Sequence, residues 1–182
     1  MILDGAEEVT VRDSDVAPAV LSESRHAEIL ASVILPRWTG GAVAQEQPVV
    51  VVVVGPPGSG KSAACRVLKA VLDRRGGAVL VGRDLYKPAH PEYRRLLGDD
   101  DRTAGVKVRP DVLRWQAEVE EYVRGHRFDA VVEDPVAGPD LHHREGFHPV
   151  EAVAASASHA VGRLLGLANR ARWRAGAAPS TG

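Results

Sequence analysis

Eight consecutive residues, Gly55-Pro56-Pro57-Gly58-Ser59-Gly60-Lys61-Ser62, have the types and spacing needed to hold phosphate. Glycines let the backbone turn tightly and aim N–H groups at an anion, and a helix starting just after them adds the positive end of its dipole. In that pattern Lys61 bridges the outer phosphates and Ser62 offers its hydroxyl to the magnesium ion that screens them. Two further segments end in groups able to do chemistry. Arg83-Asp84 is followed by Leu85-Tyr86-Lys87 and then His90-Pro91-Glu92-Tyr93, and Phe128 to Val132 runs into Glu133-Asp134. A carboxylate facing the terminal phosphate of a bound nucleotide can accept a proton from an acceptor hydroxyl, so Asp84 completes the outline of a small-molecule kinase. Singly, Asp84 reads as a turn cap and Glu133 as a solvated acid; their common position at the ends of apolar strands favours chemistry.

Those ends must be delivered by elements the sequence can form. Val49 to Val54, bounded by Pro48 and Gly55, is a β-branched run without polar alternation, the pattern of a strand buried on both faces. After Ser62, Ala64, Val67, Leu68, Val71 and Leu72 mark one face of a helix that Gly76-Gly77 ends. Ala78 to Val81 and Phe128 to Val132 are two more short strands, Pro149 to Ala155 is a weaker one, and Pro110 to about His126 is a helix. Ile29, Leu30, Val33 and Ile34 recur at helical spacing after Ser22 or Ser24, and Pro36 is expected to stop that helix. Ala160 to about Ala175 is a last, arginine-rich helix. Strands alternating with helices predict an α/β fold, a parallel sheet with helices on both faces and functional groups at the carboxyl ends of its strands. The expected organisation is an irregular leader over 1–21, one domain over 22–175 and a flexible tail over 176–182.

With 182 residues the chain suits one substantial core. Its 23 basic and 24 acidic residues give no overall field to draw in nucleic acid or a membrane surface. The lone Cys65 excludes an internal disulfide, and without a signal peptide or a long apolar run the expected setting is the cytoplasm. Cys65 itself reads as a small buried hydrophobe. Three other groupings read as structure. His142, His143 and His148 belong to a polar loop rather than a metal site, because adjacent side chains diverge. Asp99-Asp100-Asp101 lacks the alternate spacing of a calcium loop and reads as a turn. Trp115 is expected to pack on its helix face rather than stack on a base.

The phosphate loop, Asp84-Leu85-Tyr86-Lys87, His90-Pro91-Glu92-Tyr93, the Pro110-to-Tyr122 helix with Trp115, and Phe128-Asp129-Ala130-Val131-Val132-Glu133 together resemble the zeta toxins of bacterial toxin–antitoxin systems. The likeness covers about residues 20 to 175 and implies a P-loop kinase-like fold. It also implies ATP-dependent phosphorylation of UDP-N-acetylglucosamine at the sugar 3-hydroxyl, with Mg2+, and a helical antitoxin partner that blocks the ATP site. Carried over by position, Gly55 to Ser62 hold the nucleotide, Ser62 and Glu133 the metal, and Asp84 accepts the proton with Lys61 and Arg170 beside the transferring group. Arg170, in Gly166-Leu167-Ala168-Asn169-Arg170, is the phosphate-contacting arginine. Glu133, Lys87 and Glu118 fall to the acceptor, with Glu120 open as an alternative to Glu118. The sequence departs from the family in having Asp134-Pro135 where Gly and Thr usually follow the glutamate. The family also continues past its first arginine, with a second arginine, more helices and a last strand. The expectation is therefore a sheet incomplete at its C-terminal end. Two other readings stand beside the kinase: a non-catalytic module that holds nucleotide or antitoxin, and an antibiotic phosphotransferase of similar fold.

Overall fold

A computed structural model of the protein describes residues 16–55, 58–134 and 148–152. Four strands, Val49–Val54 (β1), Ala78–Val81 (β2), Asp129–Asp134 (β3) and His148–Ala152 (β4), form one parallel sheet in the order β2-β3-β1-β4. The helices are Glu23–Ile29 (α1), Leu35–Thr39 (α2), Lys61–Leu72 (α3), Arg83–Tyr86 (α4), Tyr93–Asp99 (α5), Asp101–Lys107 (α6) and Arg109–Gly125 (α7).

The valine run does what its composition requires. Val51 and Val53 pack with Ala64, Cys65, Leu68 and Leu72 of α3 on one face of the sheet. Val50, with Val79, Val81, Ala130 and Val132, packs on the other against Val112, Trp115, Val119 and Val123 of α7. Each such valine, fully buried, contributes about 1.5–3 kcal/mol relative to exposure. Helices thus cover both faces, in the α/β arrangement that the alternation of elements predicts. Because β3 lies between β1 and β2, its carboxyl end stands between the phosphate loop after β1 and Asp84 after β2.

The turn between α3 and β2 is tight enough to need glycine. Gly77 has φ 96°, and a Cβ there would lie 2.1 Å from the Gly41 carbonyl oxygen. Beneath it Asp129 is fully buried, accepts the Val49 N–H at 2.7 Å and meets Arg75 Nε at 2.9 Å.

Pro36 does not stop the first helix. A π-helical turn, Leu30–Ile34, links α1 to α2, with the Leu35 N–H donating to the Leu30 carbonyl five residues back. A proline ring in regular α-helix strikes the carbonyl four residues earlier, and the wider turn just before Pro36 relieves that conflict. The helical path continues to Thr39. Between Asp84 and Pro110 the chain is largely helical, and the acidic run serves that geometry. The Asp100 carboxylate caps α6, accepting the Arg102 N–H at 3.1 Å and the Thr103 hydroxyl at 2.7 Å. Residues 17–22 form no regular element but are docked, with the Ala19 N–H on the Lys107 carbonyl at 2.9 Å and the Leu21 N–H on Asp111 Oδ2 at 3.0 Å. The fourth strand runs from His148 to Ala152. His142, His143, Arg170, the last predicted helix and the predicted tail lie outside the described residues.

Candidate active site

A cleft of about 870 Å³ opens at the carboxyl ends of the strands. One wall is the phosphate loop. Gly58 and Gly60 adopt φ 75° and 83°, left-handed values that a side chain would strain, and α3 begins at the next residue, Lys61. A Cβ on Gly55 would come within 2.7 Å of Ser59 Oγ, so the loop folds back closely over the strand it leaves. Lys61 and Ser62, in the first turn of α3, both line the cleft.

At the back of the cleft stands Glu133, from the end of β3. The Ser62 hydroxyl donates to Glu133 Oε1 at 3.0 Å, bringing the loop's hydroxyl and a carboxylate from the neighbouring strand to one point. An alkoxyl oxygen and a carboxylate so joined are the hard oxygen donors that magnesium takes, so these residues fit the ion that the sequence pattern implies. Gly82 keeps the next strand end close, since a Cβ there would sit 3.3 Å from Glu133 Cβ. Cys65, one turn into α3, is fully buried as expected.

The second wall descends from β2. Asp84 lies in the four-residue α4, 78% exposed, and Lys87 Nζ approaches its Oδ1 at 2.6 Å. Lys87 in turn rests against Gly105 of α6, where a Cβ would lie 3.3 Å from the ammonium nitrogen. Tyr86, fully buried, anchors this turn and meets Trp38 of α2 edge-on at 6.4 Å. Burial pushes its phenol well above the ordinary range, and the Glu120 carboxylate pushes the same way. Tyr93, Arg102 and Arg109, from α5, α6 and the start of α7, close the far side of the cleft.

The structure therefore brings Lys61, Ser62, Asp84, Lys87 and Glu133 to one cleft, as the sequence reading requires. Glu118 does not join them: its Oε2 lies 2.9 Å from His26 Nε2, on the side of α7 that faces α1. Glu120 accepts from Gln116 Nε2 at 2.9 Å, also within α7. Sequence reasoning missed Arg102, Gly105 and Arg109 as cleft residues, and their placement depends on how α5 and α6 fold back over the strand ends. Among the described residues no cluster of His, Cys, Asp and Glu could hold a metal ion, and His142 and His143 lie outside them. Trp115 is core, fully buried against β-sheet valines rather than in the cleft. Among the described residues no helix is long and apolar enough to cross a membrane.

A family model described as zeta toxin matches residues 37–151. A solved structure from a molecular and structural characterization of the PezAT chromosomal toxin–antitoxin system of the human pathogen Streptococcus pneumoniae superimposes with a TM-score of 0.60 at 16% identity. That superposition covers 71% of this chain and 56% of the other, so the chain spans little more than half the length of its structural relative. No curated protein matches the sequence. The likeness to the solved structure carries the fold, and the sequence match carries the family. Since that match takes in more than half of the 182 residues, including the phosphate loop, Asp84 and Glu133, the chain belongs to the zeta toxin family.

Proposed function

We propose that the protein is an ATP-dependent small-molecule kinase that phosphorylates the sugar 3-hydroxyl of UDP-N-acetylglucosamine. The observation that carries this reading is the Ser62–Glu133 contact at 3.0 Å in the cleft that Lys61 and Asp84 also line. ATP, bound with Mg2+, would supply the phosphoryl group and the cation that offsets its charge. The loop from Gly55 to Ser62 binds the phosphates through backbone N–H groups, with Lys61 on the outer ones. Ser62 and Glu133 hold the metal. Asp84 takes the proton from the acceptor hydroxyl, and its 78% exposure leaves it open to an incoming sugar. Lys87, at 2.6 Å, orients the Asp84 carboxylate from one side and offers a donor to the acceptor from the other. Arg170 is the further cation that family resemblance adds. A helical antitoxin that covers the ATP site is the proposed protein partner, in keeping with the toxin–antitoxin source of the structural relative.

The test is incubation of the protein with magnesium-ATP and UDP-N-acetylglucosamine, followed by mass spectrometry for phosphorylated sugar. Product is expected from the wild type. Asp84→Asn should remove turnover by a factor of at least about a hundred while ATP affinity, measured by calorimetry, stays within about twofold. ATP binding with no product from the wild type would refute the acceptor or the chemistry, and favour a module that holds nucleotide without transfer.

A further inference from the structure

Behind the cleft wall lies a second cluster of ionisable groups that the proposed chemistry does not use. His26 of α1, 1% exposed, has Nδ1 at 2.8 Å from Asp111 Oδ1 and Nε2 at 2.9 Å from Glu118 Oε2. Both ring nitrogens thus lie within hydrogen-bond distance of a carboxyl oxygen, and the ring bridges the two acids. Asp111 is fully buried, and its other oxygen accepts the Leu21 N–H at 3.0 Å and lies 3.4 Å from His90 Nε2. The Glu92 N–H donates to His90 Nδ1 at 3.2 Å, so His90 carries its proton on Nε2 and points it at the Ala19 carbonyl, 3.2 Å away, and at Asp111. Trp115 stacks on the His26 ring at 5.0 Å and donates its Nε1–H to the His26 carbonyl at 3.2 Å.

Two members of this cluster, Asp111 and Glu92, sit one or two residues from the cleft wall. Asp111 lies between Arg109 and Val112, which line the cleft, and the segment pinned through His90 and Glu92 leads directly into Tyr93, which lines it too. The ring thus ties α7, at Asp111 and Glu118, and through Asp111 and His90 the entry to α5, to a helix that the family match, beginning at residue 37, does not include. Removing one member of a buried hydrogen-bonded charge set leaves the others unpaired, so the set holds its backbone firmly.

We infer that His26 is a positioning residue for the acceptor wall of the cleft, acting through Asp111 on the α7 turn that carries Arg109 and Val112, with Glu118 holding the ring from further along the helix. The inference rests on the kinase reading for what the wall recognises, but not for its mechanical part. Two variants test it, His26→Gln, which keeps one donor, and His26→Gly, which leaves a space that added imidazole can refill beside Trp115. Backbone hydrogen exchange is read at the amides of Val112 to Gln116 and, for comparison, at those of Ala63 to Cys65 beside the phosphate loop. In both variants exchange at the start of α7 should rise about tenfold or more with the loop side unchanged, and imidazole should reverse the rise in His26→Gly. Steady-state kinetics should show the KM for UDP-N-acetylglucosamine raised about tenfold while ATP affinity is retained, a split that general loss of stability would not give. Unchanged exchange at α7, or an equal rise at both sites without imidazole rescue, would overturn the inference. A wild type without turnover would count against the kinase reading alone, because the exchange pattern decides the positioning role independently.

Discussion

At Cys65 the environment fixes the chemistry of a single atom. Burial, and secondarily the negative charge of Glu133, push its thiol from the ordinary 9.0 up to about 12, against weaker pulls from Lys61 and others. The thiol is therefore protonated and inert at neutral pH, and iodoacetamide at pH 8 should label it no faster than the protein unfolds, as mass spectrometry of timed samples would show. The same shift has a stability consequence. A thiol whose ionisation is raised by folding gives its full contribution below pH 9.0 and loses it as pH rises towards about 12, because the unfolded chain ionises first. Cys65→Ala should flatten that part of the loss in denaturant titrations between those limits. Cys65 was readable from sequence as a buried hydrophobe because it falls on the apolar face of a helix with a clear period. His26 was not: a lone histidine in a helix says nothing about a carboxylate 85 residues away, and the pairing exists only once α1 lies across α7.

Elements are joined by straps of the same kind. Arg75, in the 3-10 turn Asp73–Arg75 that follows α3, reaches Asp129 Oδ2 at 2.9 Å through Nε and the Gln47 carbonyl at 2.8 Å through Nη2, tying the segment after α3 to the starts of β1 and β3. Burial pushes the Asp129 carboxyl above its usual range, and the Val49 N–H and the Arg75 charge only partly oppose it. Arg75→Met should cost about 3 kcal/mol near neutral pH in urea unfolding, since it leaves a buried carboxylate without its cation. The sign with pH follows: the folded form favours the neutral acid, so the loss should shrink as pH falls and Asp129 takes up a proton, and Asp129→Asn should recover part of it. The strands and α3 were legible because their burial writes a period into the sequence, β1 by an unbroken valine run and α3 by its apolar face. The segment from Tyr93 to Lys107 was not, since α5 offers little beyond Leu96 to a core and Asp100 reads equally well as turn or cap.

For the molecule as a whole, the site is assembled from four chain segments that meet only in the folded state, so a ligand bound there stabilises the fold. Magnesium-ATP at a hundred times its Kd should add about 2.7 kcal/mol to unfolding free energy, and Ser62→Ala should reduce the part that depends on magnesium. Comparing melting curves in ATP with and without EDTA measures it. With a formal net charge of −1, long-range steering adds little, and ligand affinity depends on the local cations of the cleft. That local order was largely foreseeable, because a parallel sheet collects its strand ends on one side whatever the loops do; the identity of the opposite wall was not, because it depends on the docking of α6 and α7. The π turn at Leu30–Ile34 has one more consequence. A π turn takes up one extra residue without altering the phase of the helix on either side. A one-residue deletion within it should therefore leave His26 facing Asp111 and Trp38 facing Tyr86. The regular helix it restores would set the Pro36 ring against the carbonyl four residues before it, so the shortened protein should fold well only with Pro36→Ala. In chain length, at this one place, the protein has a spare residue, and the proline is what keeps it.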